Sequence, residues 1–143
     1  MTKFPILKLK YPIKLDCGCA NQKKQGYIGI DSVDYEQEII WDLKKGIPFP
    51  DESVEDVNVS HFLEHLNNED GKEFINEVLR VLVTGGTLTA RQPHASHPTA
   101  FYPDHESFWN EARVESIARN EPKWEILENL HWGLELIFKL RKK

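Results

Sequence analysis

Short apolar runs alternate with longer amphipathic or polar stretches along this chain. "IKLDC" (Ile13–Cys17) predicts a first strand. "YIGID" (residues 27–31) predicts a second and "EIIWDL" (residues 38–43) a third. "VEDVNVS" (Val54–Ser60) predicts a fourth, introduced by the turn "GIPFPDES". The period then changes. Phe74, Val78 and Leu82 recur every four residues with Ile75 and Leu79 beside them, which makes one apolar helix face. Asp70, with Glu73 three residues on, is the expected N-cap. Gly85-Gly86 is the expected end of that helix. "TLTARQP" (residues 87–93) reads as a fifth strand, and residues 94–121 as a polar, aromatic and partly helical segment. "WEILENL" and "LELIFKL" flank the turn "HWG", and the second has a period of two, which predicts a closing antiparallel hairpin. Strands separated by crossovers and closed by a hairpin give an α/β sheet, mostly parallel with an antiparallel edge.

Composition narrows the class. The chain has 143 residues, 40% hydrophobic and 29% charged, with no repeat or linker, so residues 1–143 are expected to form one globular domain. The formal charge of -5 gives no general attraction to nucleic acid or an anionic membrane. The basic tail of Lys139, Arg141, Lys142 and Lys143 reads as a solvated end. No apolar run approaches the ~20 residues that span a bilayer. "MTKFPILKLKYP" lacks the uninterrupted apolar core of a signal peptide. Two cysteines one residue apart make no disulfide framework, and the expected setting is the cytoplasm with reduced thiols.

Cys17-Gly18-Cys19 raises three chemistries. A structural zinc site needs a second ligand pair that this chain does not supply, and a redox pair wants two residues between the cysteines. Two readings remain: small apolar residues packed at a strand end, or the bend of a cofactor loop. The neighbours bear on the second. Asp16 ends one expected strand, Asp31 the next, and Asp42 follows the third beside apolar Leu43. Ligands of open parallel sheets bind at the carboxyl ends of strands. An acid there can accept from both hydroxyls of a ribose, and an acid beside an apolar residue suits an adenine.

"LDCGC", "YIGID", "WDLKKGIPFPDESVEDV", "SHFLEHL" and "EVLRVLVTGGTLTARQPH", in this order, resemble a class I S-adenosylmethionine-dependent methyltransferase, of the small type 11-like kind. The resemblance implies a Rossmann-like sheet and S-adenosylmethionine as cofactor. It places Asp16, Cys17, Gly18 and Cys19 along the methionine part, Asp31 on the ribose, and Asp42 and Leu43 at the adenine. Ser60 and His61 would lie near the sulfonium and the acceptor. Two departures accompany it. The loop has alanine at position 20 where the family usually has glycine, which requires a negative φ there. Only seven residues separate Cys19 from Tyr27, so the first helix is expected to be short or absent.

"HFLEH" (residues 61–65) also matches H-x-x-E-H, the inverted metalloprotease motif, with His61 and His65 on one helix face and Glu64 as ligand or base. In the resembling family these letters lie at a strand-to-helix junction and bind no metal, and none is expected here. Glu64 and His65 then read as a hydrogen-bonded junction. If the methyl acceptor arrives protonated, a base is required, and the candidates are His61, His94 and His105. Three functions stand: methyl transfer to an unidentified acceptor, a non-catalytic S-adenosylmethionine-binding or partner-subunit module of the same fold, and a zinc-dependent hydrolase. The small size leaves room for a second copy of the chain, in a homo-oligomer, to complete the acceptor pocket.

Overall fold

The computed structural model describes residues 9–143. The reading of the first twelve residues as leaderless lies mostly outside them. The order is β1 (Ile13–Cys17), β2 (Ile28–Asp31), β3 (Ile39–Ile40), β4 (Val54–Ser60), α1 (Asn68–Val81), β5 (Leu82–Pro93), α2 (Glu111–Asn120), β6 (Trp124–Trp132) and β7 (Glu135–Lys142). Short 3-10 turns lie at Leu43–Lys45, Leu63–His65 and Pro98–Phe101. The strands make one sheet in the order β3-β2-β1-β4-β5-β7-β6. β1 to β5 pair in parallel, and β7 runs antiparallel to both β5 and β6. The mostly parallel α/β sheet with a closing hairpin is therefore the fold.

Side chains alternate across the sheet, and the register sorts them into rows. Ile28, Leu15, Val57, Leu88, Leu140 and Ile126 are successive neighbours across six strands. Ile30, Cys17, Val59, Ala90 and Phe138 make a second apolar row. Phe74, Ile75, Val78 and Val81 of α1 and Val114 of α2 join these rows in one core cluster. Each fully buried aliphatic side chain there contributes about 1.5–3 kcal/mol.

The other face reads differently. Lys14, Asp56, Thr87 and Arg141 form one row, and Asp16, Asn58, Thr89 and Lys139 the next. Thr87 donates to Asp56 at 2.7 Å, Tyr27 donates its hydroxyl to the same carboxylate, and Asn58 donates to Asp16 at 3.1 Å. A parallel sheet is usually apolar on both faces because crossover helices cover both. Here the β1–β2 and β2–β3 crossovers hold no helix, and the face is polar. The expectation of a missing first helix holds, and the loss extends to the second crossover.

Four boundaries depart from the sequence reading. The N-cap of α1 is Asn67, not Asp70: its Oδ1 accepts from the Asp70 amide at 2.8 Å. α1 ends at Val81 without a glycine. Glu52 and Ser53 donate their backbone amides to the Arg80 and Val81 carbonyls, and Lys142 Nζ reaches those of Leu79 and Leu82. The last carbonyls of the helix are thus satisfied from outside it. Gly85-Gly86 lies within β5, where the register with β4 slips between Val54 and Asp56. β3 is only Ile39–Ile40, because Asp42 caps the following 3-10 turn through Lys44 N.

Candidate functional site

β1 lies between β2 and β4. The strand order reverses there, and the carboxyl edge at such a switch point is where open α/β sheets hold ligands. Gly18 leaves β1 at that edge, Asp31 ends β2, and Ser60 ends β4. Asp31 pairs with Ile40, and Trp41 N donates to the Asp31 carbonyl at 2.9 Å, so Asp42 follows one strand over.

Gly18 turns with φ +67°, and the Gly18 and Cys19 amides both donate to the Ile30 carbonyl, at 2.8 and 3.3 Å. A Cβ on Gly18 would lie 2.4 Å from the Phe62 ring. The bare Cα is thus taken up by Phe62. Ala20 has φ +47°, correcting the expected negative value. Its amide donates to Asp31 Oδ2 at 2.9 Å, and that bond holds the alanine in a left-handed turn. Asp16 is buried and accepts from Lys24 N at 2.8 Å and from Asn58, so it braces the loop from the polar face. Burial pushes its carboxyl up, against these two hydrogen bonds.

Cys17 is fully buried and Cys19 nearly so, and both are free thiols. Burial raises both thiols, Cys19 to about 12. Cys17 and the buried Leu43 give their side chains to the core, leaving a ligand the backbone. Asp31 is half-buried, and its carboxylate accepts from Ala20 N and from Val33 N at 3.0 Å. An ionised carboxylate has about four acceptor positions, so two remain for a vicinal diol. Asp42 is exposed and accepts from Lys44 N at 3.0 Å. These acceptors fit the hydroxyl and amine donors of the adenosine half of S-adenosylmethionine.

Beyond β4 a cleft of about 700 Å³ is lined by His61, Glu64, His65, Tyr102, His105 and Glu135, among others. His61 has φ +55°. Its Nε2 lies 2.8 Å from Glu135 Oε2 and its Nδ1 3.5 Å from Glu64 Oε2. These carboxylates, Glu64 foremost, raise the imidazole above its ordinary 6.5. His65 turns instead to Asp104. His61 and His65 therefore share no helix face, since the chain here is a left-handed residue followed by a 3-10 turn. That local structure removes the shared helix face on which the zinc-hydrolase reading rests.

The other histidines divide. His94 is buried. Its Nδ1 accepts from Ser96 N at 3.0 Å and its Nε2 meets Glu111 at 2.5 Å, which keeps Glu111 below the usual carboxylate range. Its ring stacks on His131 at 3.7 Å. His105 lies in the cleft wall with Nδ1 3.3 Å from the Ala100 carbonyl. His61 and His105 thus share one cleft with Glu64, and His94 belongs to a separate cluster. Sequence reasoning missed Phe62, Glu135 and His131. Glu135 sits in an alternating hairpin pattern where nothing distinguishes it from a solvent-facing acid.

A family model described as "Methyltransferase domain" matches residues 15–90, more than half of the chain. No curated protein matches. Among solved structures, an S-adenosylmethionine-dependent methyltransferase from Methanosarcina mazei is 16% identical with a TM-score of 0.69, over 99% of both chains. The N-methyltransferase NodS of Bradyrhizobium japonicum WM9, solved with S-adenosylhomocysteine, is 14% identical with a TM-score of 0.68, over 90% of this chain and 76% of its own. The [4+2]-cyclase SpnF is 16% identical with a TM-score of 0.69, over 94% of this chain and 76% of its own. At such identities the likeness is one of fold.

Proposed function

The chain belongs to the methyltransferase domain family, with the class I S-adenosylmethionine-dependent fold, and we propose that it passes a methyl group from S-adenosylmethionine to an acceptor seated in the cleft beyond β4. We take residues 1–143 as one such domain. The observation that carries the reading is the pair of acids at adjacent strand ends, Asp31 and Asp42, beside the switch point. When bound, S-adenosylmethionine supplies an electrophilic methyl on a sulfonium. The residues of this chain do the rest. Asp31 accepts from the ribose hydroxyls while holding Ala20. Asp42 takes the adenine amine. The Gly18 loop and Ser60 position the methionine part. Much of the rate in such a reaction comes from alignment of the reactants. His61 lines the cleft and is the base for the acceptor's proton: Nδ1 stays toward Glu64, and Nε2 exchanges its contact with Glu135 for the acceptor.

The test is binding of S-adenosylhomocysteine by calorimetry and by thermal shift. Wild type is expected to bind and to melt higher with ligand. Hydrogen bonds to a charged group are worth about 1.5–3 kcal/mol, so Asp31→Ala is expected to weaken binding at least about tenfold. Asp31→Asn, which keeps an acceptor for Ala20 N, separates the loss of diol contacts from loop damage. Absence of binding at millimolar ligand overturns the reading.

A second reading is a module that binds the cofactor without turnover. The helix-free 18–27 and 32–38 crossovers favour it, because they leave a thin wall around the cofactor. SpnF shows that this fold carries other chemistry. Binding of the cofactor with no transfer across an acceptor panel would select it.

A further inference from the structure

The cleft wall holds a group the methyl-transfer reading leaves unexplained. Glu64 has a side chain only 3% exposed, and its Oε1 is buried with no hydrogen-bond partner. An unpaired buried carboxylate oxygen is costly. His65 and His105 stand beside this carboxylate, and one ligand atom from each of the three residues lies within 4.8 Å of the others. The tautomers are fixed from behind. His65 Nδ1 donates to the Asp104 carbonyl at 3.1 Å, and His105 Nδ1 donates to the Ala100 carbonyl at 3.3 Å. A backbone carbonyl only accepts, and Asp104 Oδ1, at 3.9 Å from His105 Nε2, lies beyond hydrogen-bond distance, so in the neutral rings both Nε2 atoms carry a lone pair. That is how proteins prepare metal-binding imidazoles. The His105 ring is 7% exposed and perpendicular to that of His65, with centroids 4.9 Å apart.

We propose that Glu64, His65 and His105 bind a divalent first-row cation, zinc in the first instance, whose remaining coordination positions open on the cleft beyond β4. Two imidazole nitrogens and one carboxylate oxygen are the ligand set of three-residue zinc sites that keep a position open. This departs from the expectation of no metal, and it differs from the H-x-x-E-H arrangement. His61 takes no part, and the third ligand comes from a loop forty residues on. It also relieves His105 of the role of base. The second histidine cluster offers no comparable site. In His94, Nδ1 already accepts from Ser96 N and Nε2 is spent on Glu111, while His131 Nε2 meets His97 Nε2 at 2.8 Å. The buried thiols of Cys17 and Cys19 do not compete.

The inference stands apart from methyl transfer, because its readout is metal binding. The whole chain, stripped with a chelator and dialysed, is titrated with Zn²⁺ against a chromogenic chelator. In parallel it is loaded with Co²⁺, whose visible bands intensify on four- or five-coordination. Wild type is expected to take up one equivalent and to give intense Co²⁺ bands. Outer contacts alone are worth about 10–100-fold in affinity, so loss of a direct ligand in His105→Ala or Glu64→Gln is expected to cost at least about a hundredfold. His131→Ala is expected to leave affinity unchanged. No stoichiometric Zn²⁺ binding by wild type overturns the proposal whether or not the variants fold. So does binding that survives both ligand variants, or binding lost in a folded His131→Ala.

Discussion

At the scale of single residues, the acids were legible and their neighbours were not. Asp31 and Asp42 could be found because strand ends are readable from apolar runs, and a carboxylate there has a chemical reason. Glu64 stood out only as part of a motif with another meaning. Its orphaned oxygen depends on the loop carrying His105, which no local pattern places. Ala20 shows the same limit. Its φ was expected to be negative, yet its bond to Asp31 sets it at +47°. A left-handed conformation costs a non-glycine residue roughly 1–2 kcal/mol. Replacing glycine removes about 0.4–1 kcal/mol of unfolded-chain entropy. Ala20→Gly is therefore expected to lie between neutral and about 1.6 kcal/mol more stable in urea unfolding. Gly18→Ala carries the same left-handed penalty and also drives a Cβ to 2.4 Å from the Phe62 ring. Overpacking adds about 1–3 kcal/mol and the entropy of the lost glycine offsets about 0.4–1 kcal/mol, so a loss of roughly 1–4.5 kcal/mol is expected. A Gly18→Ala protein as stable as wild type would mean that the loop does not turn there as described.

At the scale of elements, strand and helix identity followed from period, while boundaries followed from bonds that period does not carry. β1 and β4 matched their apolar runs to the residue. β3 shrank to two residues because Asp42 bonds forward to Lys44 N and draws the chain into a 3-10 turn. The start of α1 is not legible in the sequence because Asn67 and Asp70 are both good caps by type, and only geometry decides between them. Asn67→Ala is expected to cost about 1 kcal/mol, the usual loss on removing a cap. Asp70→Ala removes only a first-turn charge, worth about 0.3–1 kcal/mol at low salt and less when screened. In chemical denaturation at moderate salt, Asn67→Ala should therefore be the more damaging of the two. The reverse order would return the cap to Asp70. The helix end is hidden from the sequence for a related reason. Its last carbonyls are bonded by residues 52, 53 and 142, which are distant in sequence, so no terminal glycine is needed.

At the scale of the molecule, the architecture was legible in outline and its asymmetry was not. The order of strands and helices implied a parallel sheet, and parallel sheets carry helices on both faces. Among the described residues, α1 and α2 both pack on the apolar face, and polar rows lie on the other. Loss of helices from the first two crossovers and polarity of that face are one fact seen twice: among the described residues no helix supplies an apolar partner there, and the acids pair with polar groups instead, Asp16 with Asn58 and Lys24 N, Asp56 with Thr87 and Tyr27. The alternation was present in "IKLDC" and "VEDVNVS", but it reads there as an ordinary half-buried strand. Adjacent residues of β5 test the asymmetry. Leu88 is fully buried in the central apolar row, and Thr89, the next residue, is half-buried on the polar face. Truncating a buried leucine costs about 2–5 kcal/mol, and Leu88→Ala should fall in that range. Thr89→Ala loses little packing and is expected to cost less than about 1 kcal/mol, with the same denaturant slope as wild type. If a further layer of this chain covered the polar rows, Thr89 would be a second core position and the two losses would be alike. Equal destabilisation of the two variants would therefore refute the assignment of one face as apolar core and the other as polar.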